Sequence, residues 1–260
     1  EAVIDRAVEI ASKHHPINEH SHVLEIGPGP GSLTLELLRT GAKVTAIELD
    51  EEATSHLARV FNNADGKLQV IHADALEIDW PKDITHIVSN LPYQISSPVL
   101  DRIQKHHFSS KLKGISLLVQ EEFAERMAMN KGYATRGPLG HSLWLDFDVE
   151  LDSKVAPHSF SPSPRVHSRL TNLIPVNREM TESIDRRLFR MVIIECFANR
   201  RRKLRTSLKK PPKRLNRISG WHRSRWEKAT NTIPSETLDL RPENLTSEDW
   251  VSLISQITQA

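Results

Sequence analysis

The sequence predicts an α/β protein: a doubly wound, mostly parallel sheet with an antiparallel hairpin at its edge, followed by a small C-terminal all-α domain. Three observations predict it. Over the first 150 residues, continuous apolar runs alternate with helical stretches, the pattern of parallel strands covered by helices on both faces. The first run opens onto a glycine-rich turn, Gly27-Pro28-Gly29-Pro30-Gly31. The charge then switches near Pro175. Residues 1–175 hold 17 Lys and Arg against 23 Asp and Glu, a net of −6, and residues 176–260 hold 18 against 10, a net of +8.

The elements follow in order. His22 to Gly27 reads as a strand and Ser32 to Arg39 as the helix after the turn. Lys43 to Asp50 is the next strand, and Asp50 is placed to cap the helix Glu51 to Phe61. Leu68 to Asp74 is a third strand and His86 to Ser89 a fourth. Ser96 opens a helix over Ser97 to Lys105, and strand Gly114 to Gln120 leads into helix Glu121 to Met129. Leu143 to Leu151 and Ser168 to Val176 are strand-like with no helix between them, joined by the proline-rich Ala156 to Pro164, so they form the edge hairpin. That makes seven strands. Helices are expected over Glu182 to Asn199, Arg202 to Leu208, Ser224 to Thr230 and Ser247 to Thr258, broken at Pro211-Pro212 and Pro234. The expected domains are residues 1–177 and 178–260.

Composition narrows the function. With 38% apolar and 26% charged residues the chain is an ordinary globular protein. The single Cys196 excludes an internal disulfide or a cysteine-rich metal site and suits a reducing compartment. No apolar stretch approaches the roughly 20 residues of a membrane span and no signal peptide is visible, so a cytoplasmic protein without a membrane partner is expected. From Cys196 to Trp226 there are 12 Lys and Arg and no acid, interleaved with Phe197 and Trp221. Such a block either attracts a nucleic acid through counterion release or is a solvated helix face.

The candidate chemistry lies where strands end. Glycines 27, 29 and 31 let backbone come close to a ligand and leave helix N-terminal amides free. A dinucleotide fingerprint would want its third glycine where Ser32 stands. The GxGxG spacing instead resembles the S-adenosylmethionine loop of class I methyltransferases. Glu48, 17 residues after Gly31, can accept two ribose hydroxyls, or simply end its strand. Asp74 can accept an adenine amine while the Ala75 N–H meets a ring nitrogen; standing alone, it would be a turn-forming Asp. With Glu25 and Asn90, these residues fall on the carboxyl edge where open α/β sheets bind ligands.

Asn90-Leu91-Pro92-Tyr93 supplies the acceptor side. An aryl amine is a poor nucleophile because its lone pair is delocalised into the ring. The Asn90 side-chain oxygen and the Leu91 carbonyl can accept its two N–H groups and favour a tetrahedral nitrogen, while Tyr93 can stack on the base.

Taken together, several segments resemble the successive motifs of the small-subunit ribosomal RNA adenine-N6,N6-dimethyltransferases. They are Gly27-Pro28-Gly29-Pro30-Gly31, Glu48-Leu49-Asp50, Asp74-Ala75-Leu76, Asn90-Leu91-Pro92-Tyr93, Val119-Gln120-Glu121-Glu122, the run from Phe160 to Ser168 and Phe197-Ala198-Asn199-Arg200-Arg201-Arg202-Lys203. The resemblance spans nearly the whole chain. It implies a Rossmann-like methyltransferase sheet, S-adenosyl-L-methionine as donor and dimethylation of two adjacent adenosines near the 3′ end of small-subunit rRNA during ribosome biogenesis. By that resemblance Asn90, Leu91, Pro92, Tyr93 and Phe160 are the catalytic group, with Phe160 stacking on a flipped-out base opposite Tyr93. Apart from the family, a core Phe before a proline turn is as good an account of Phe160. Glu25, Gly27, Gly29, Gly31, Glu48, Leu49, Asp74, Ala75 and Asn90 would hold the donor. Arg165, Arg200, Arg201, Arg202 and Lys203 would contact RNA, within a monomer acting on the immature small subunit. The rivals are an N6-adenine methyltransferase on other nucleic acid, a glutamine methyltransferase on protein, and a ribosome-assembly factor without catalysis.

Two stretches depart from the family pattern. Its members usually begin with a glutamine, aromatic and leucine segment that closes over the donor; the sequence opens at Glu1-Ala2-Val3-Ile4-Asp5, inside what resembles the following helix. A segment of roughly 20 residues has no counterpart, and weaker donor affinity is expected. Gly132 to Gly140 follows the family's glycine and tyrosine pattern only loosely. His14, His15, His20 and His22 are not expected to bind metal, because no acidic or cysteine partner has ligand spacing. Trp144, Trp221, Trp226 and Trp250 are expected to be packing anchors, with Trp221 the one candidate base platform because arginines flank it.

Overall fold

A computed structural model describes residues 2–62, 64, 66–160 and 163–259. In chain order its elements are α1 (Ala2–Ala11), β1 (His22–Ile26), α2 (Ser32–Arg39), β2 (Lys43–Glu48), α3 (Glu51–Val60), β3 (Leu68–His72), β4 (His86–Asn90), α4 (Ser96–Ser110) and β5 (Gly114–Gln120). They continue with α5 (Glu121–Ala128), α6 (Pro138–Trp144), β6 (Phe147–Val155), β7 (Ser168–Pro175), α7 (Arg186–Phe197), α8 (Leu204–Ser207), α9 (Arg223–Thr230), α10 (Ser235–Asp239) and α11 (Ser247–Gln259). Most boundaries lie within a few residues of those read from the sequence.

The seven strands form one sheet in the order β3-β2-β1-β4-β5-β7-β6. β3, β2, β1, β4 and β5 are parallel, and β7 pairs antiparallel with both β5 and β6. The direction of winding reverses between β1 and β4, so their carboxyl ends diverge around a crevice, the usual ligand position in such sheets. β1 is buried at every residue and β4 at every residue but its last, Asn90. Helices must therefore cover both faces of these strands, which is why they read as unbroken apolar runs.

Two compact units emerge: Glu1–Ala124 with Phe147–Pro175, and Glu125–Asp146 with Val176–Ala260. The expected boundary at 177 places 125–146 in the first unit, whereas their contacts belong to the second. Leu143 and Leu145 are buried, and Leu145 packs in the helical core with Leu188, Phe189, Val192 and Trp250. The strand expected from Leu143 is accordingly the end of α6, and β6 begins at Phe147. The first unit's core joins Ala7, Ile10 and Ala11 of α1 to Val23, Leu37, Val44, Val88 and Leu118.

Candidate active site

The glycine turn is shaped by two contacts. Gly27, at φ +67°, lies against Pro92, where a β-carbon would stand 3.3 Å from the ring. At Gly31, with φ +88°, an added β-carbon would approach the Leu57 side chain to 2.6 Å and the Phe61 ring to 2.7 Å, so those side chains would have to shift and the left-handed backbone would be strained. Gly29 differs, since a β-carbon there would meet nothing within 4 Å. Its open side faces a cleft of about 550 Å³ lined by Glu25, Gly27, Gly29, Ser89, Asn90 and Phe160, together with Val3 and Ile4 of α1.

Asn90 is exposed at the end of an otherwise buried strand, and among the described residues its carboxamide makes no hydrogen bond. Leu91 turns inward, 1% exposed, and its N–H donates to the Leu118 carbonyl at 3.1 Å. Tyr93 follows in a 3-10 turn with its hydroxyl 2.6 Å from Ser168 Oγ. Ser168 is fully buried at the start of β7, so it fixes the Tyr93 ring through a group that the sequence reading did not single out. Ser89 was missed as well. Its Oγ accepts the Ile26 N–H at 2.8 Å and ties the end of β1 to the end of β4. A polar residue inside an apolar run was the available signal.

Glu25 is 1% exposed and accepts a hydrogen bond from the Thr34 hydroxyl at 2.7 Å. Burial pushes its carboxyl up to about 8, against the Thr34 bond and with help from the Glu48 charge. A cation seated in the cleft would offset that cost. Glu48 accepts three backbone N–H groups: Gly29 at 3.1 Å on Oε2, and Leu49 at 2.8 Å and Asp50 at 3.0 Å on Oε1. Of the roughly four acceptor sites of a carboxylate, one stays open, on Oε2. The expected acceptance of two ribose hydroxyls therefore requires one loop amide to yield. Leu49 is 67% exposed beside it.

Asp74, two residues beyond β3, uses Oδ1 for the Leu76 N–H at 2.7 Å. Register places it next along the edge: His72 pairs with Glu48, and the Ala73 N–H donates to the Glu48 carbonyl at 2.9 Å. The carboxyl ends of β3, β2, β1 and β4 thus present Asp74, Glu48, the glycine turn and Asn90 in spatial succession. Glu48 and Asp74 lie outside the lining of the cleft, which brings together the Glu25, Asn90 and Phe160 end.

Phe160 is half-buried and packs beside Val155 and Leu170. In the run that follows it, Ser161 and Pro162 lie outside the described residues, and Arg165 is exposed. In the helical unit the basic run divides. Arg200 is bound to Glu243 at 2.8 Å and donates to the Tyr133 carbonyl at 2.6 Å; Lys203 is 3.0 Å from Asp239. Arg201 and Arg202 are exposed and have no ion pair among the described residues. Trp221 is 6% exposed with the Arg225 guanidinium 4.3 Å from its ring centre, so the candidate base platform is a packing anchor instead.

The sheet order, the glycine turn and the acids along one edge belong to a recognisable class, the Rossmann-like S-adenosylmethionine-dependent methyltransferases. Within it the chain is a member of the ribosomal RNA adenine dimethylase family, whose model matches residues 1–220. It is 37% identical over 209 residues to a probable ribosomal RNA small subunit methyltransferase A of Haloarcula marismortui, covering 80% of this chain and 70% of that one. A probable ribosomal RNA small subunit methyltransferase A of Methanopyrus kandleri is 32% identical over 260 residues, covering 99% and 90%. Among solved structures, a dimethyladenosine transferase from Plasmodium falciparum superposes with a TM-score of 0.82 at 26% identity, covering 100% of this chain and 96% of that one. The 23S rRNA methyltransferase ErmE shares the fold, with a TM-score of 0.70 at 23% identity over 100% and 98%.

Proposed function

We propose that this chain transfers methyl groups from S-adenosylmethionine to N6 of two adjacent adenosines near the 3′ end of small-subunit rRNA, twice on each base, acting as a monomer on the immature subunit in the cytoplasm. No helix among the described residues is long and apolar enough to cross a membrane. One observation carries the reading: Asn90 emerges at the tip of buried β4 with a free carboxamide, in the same cleft as Glu25, Gly29 and Phe160.

Bound there, S-adenosylmethionine supplies an electrophilic methyl carbon on a positively charged sulfur. The chain's residues do the rest by position. Gly29 leaves room for the donor beside the turn, and ionised Glu25 balances positive charge in the cleft. Asn90 Oδ1 and the Leu91 carbonyl accept the two amine hydrogens and draw the nitrogen towards a tetrahedral shape with its lone pair available. Tyr93, held by Ser168, and Phe160 bracket the base. With the donor bound, the nitrogen lone pair would take the methyl carbon while the sulfur keeps the pair of the broken S–C bond and leaves as S-adenosylhomocysteine; the alkylated nitrogen would be acidic and lose its proton to water, so no strong general base is needed.

Radiolabelled S-adenosylmethionine offered in parallel with immature small subunits, naked rRNA, duplex DNA and protein tests this reading. Label is expected in rRNA of the immature subunits. Label confined to DNA or protein would remove it.

A further inference from the structure

The loop after β3 is held by Asp74 and by two side chains that the donor reading does not use, Trp80 and Arg102. Asp74 organises it from within, its Oδ1 on the Leu76 N–H and its carbonyl on the N–H groups of Glu77 at 3.0 Å and Ile78 at 3.2 Å. Trp80 Nε1 donates to the Ala75 carbonyl at 3.0 Å. The peptide joining Ala75 to Leu76 is therefore fixed at both ends, its carbonyl by an indole and its N–H by the carboxylate. From α4, Arg102 donates through Nη1 to the Leu76 carbonyl and through Nη2 to the Ile78 carbonyl, with its guanidinium carbon 5.1 Å from the Trp80 ring centre.

Two features make this more than a loop anchor. A planar fork that bonds two carbonyls and also lies over an aromatic ring defines an orientation, not merely a proximity. The two carbonyls it grips flank Glu77, whose N–H is bonded to the Asp74 carbonyl, so the constraint reaches Asp74, whose Oδ2 makes no hydrogen bond among the described residues. We propose that Arg102 and Trp80 form a clamp that presets Asp74 and the Ala75 N–H for the edge of the donor's adenine, making Arg102 a positioning residue for donor-base specificity. The proposal rests on the reading of Asp74 as the acceptor of the adenine amine. α4 begins at Ser96, right after the 3-10 turn that Tyr93 opens, so one turn and one helix link the acceptor tetrapeptide to the clamp.

The test is calorimetric binding of S-adenosylhomocysteine and of its inosine counterpart, which carries a carbonyl in place of the amine. Wild-type protein, Arg102→Ala, Arg102→Lys, Trp80→Phe and Asp74→Ala are compared, with KM and kcat for S-adenosylmethionine measured alongside. Arg102→Ala should weaken binding of the adenine form about tenfold and leave the inosine form nearly unchanged, so that the preference collapses while kcat at saturating donor stays within about twofold. Arg102→Lys, which lacks the fork, and Trp80→Phe, which keeps a ring but loses the donor, should fall between; they carry the test if Arg102→Ala does not fold. An equal loss for both ligands, or no loss, in these variants would overturn the clamp while a collapsed preference in Asp74→Ala leaves the adenine reading standing. An unchanged preference in Asp74→Ala would overturn both.

Discussion

At the scale of single residues, the account turns on which polar groups are already satisfied. Asn90 is free, Glu48 is nearly full and Glu25 is buried with one hydroxyl partner. Glu25 makes both stability and donor binding depend on pH. Its folded value is about 8 against an ordinary 4.5, so between those values the folded chain holds a proton that the unfolded chain has lost. Stability contributed by this group is present below pH 4.5, falls as pH rises towards 8 and is flat above. Cationic donor binding favours the ionised form, so S-adenosylmethionine affinity measured by calorimetry should rise from about pH 6 to about pH 8.5, with proton release, and Glu25→Gln should flatten the profile. A wild-type profile already flat would contradict this placement of charge. Much of the site was legible at this scale because each strand ends in a residue unlike those before it: Asp74, Glu48 and Asn90 each follow an apolar run. Ser168 was hidden because its role depends on β7 returning antiparallel beside β5, a pairing between residues distant in sequence.

At the scale of elements, strands buried on both faces were readable because burial leaves them largely apolar, whereas the last two residues of α6, Leu143 and Trp144, were read as the start of a strand. Leu143, and Leu145 just past the helix, alternate with Trp144, a spacing that serves a half-buried strand as well as a helix end, and the packing partner that decides between them lies some 45 residues downstream in α7. The same helix carries His141, whose Nδ1 lies 2.9 Å from Ser247 Oγ and whose ring packs near Phe197 and Trp250. Burial, with the Arg136 charge adding to it, lowers this imidazole to about 4. From about 4 up to its ordinary 6.5 the unfolded chain binds a proton that the folded chain excludes, so stability is lost as pH falls through that window and is fully present above it. Glu25 pulls the other way over the same range, so the test compares proteins: the gap between the melting temperatures of His141→Gln and wild type should shift in favour of the variant as pH falls from about 7.5 to about 5. An unchanged gap would assign acid sensitivity to other groups.

At the scale of the whole molecule, charge segregates along the chain, and the structure refines what the basic tail offers. Arg200 and Lys203 pair with Glu243 and Asp239, which leaves Arg201 and Arg202 as the cations of that run without an ion pair among the described residues. Sequence could count these charges but not their partners, since the acids lie some 40 residues downstream. Replacing Arg201 and Arg202 together by Gln should make the salt dependence of rRNA binding shallower by about one to two in slope, and an unaltered slope would show that they are only solvated. The central claim, that an adenine amine is methylated against Asn90, is tested most directly by nucleoside mass spectrometry of rRNA from immature small subunits incubated with S-adenosylmethionine and either wild-type protein or Asn90→Ala. N6,N6-dimethyladenosine is expected with the wild type and at least about a hundredfold less with the variant, whose donor binding remains measurable by calorimetry. Equal dimethyladenosine from both proteins, or loss of donor binding together with activity, would contradict it.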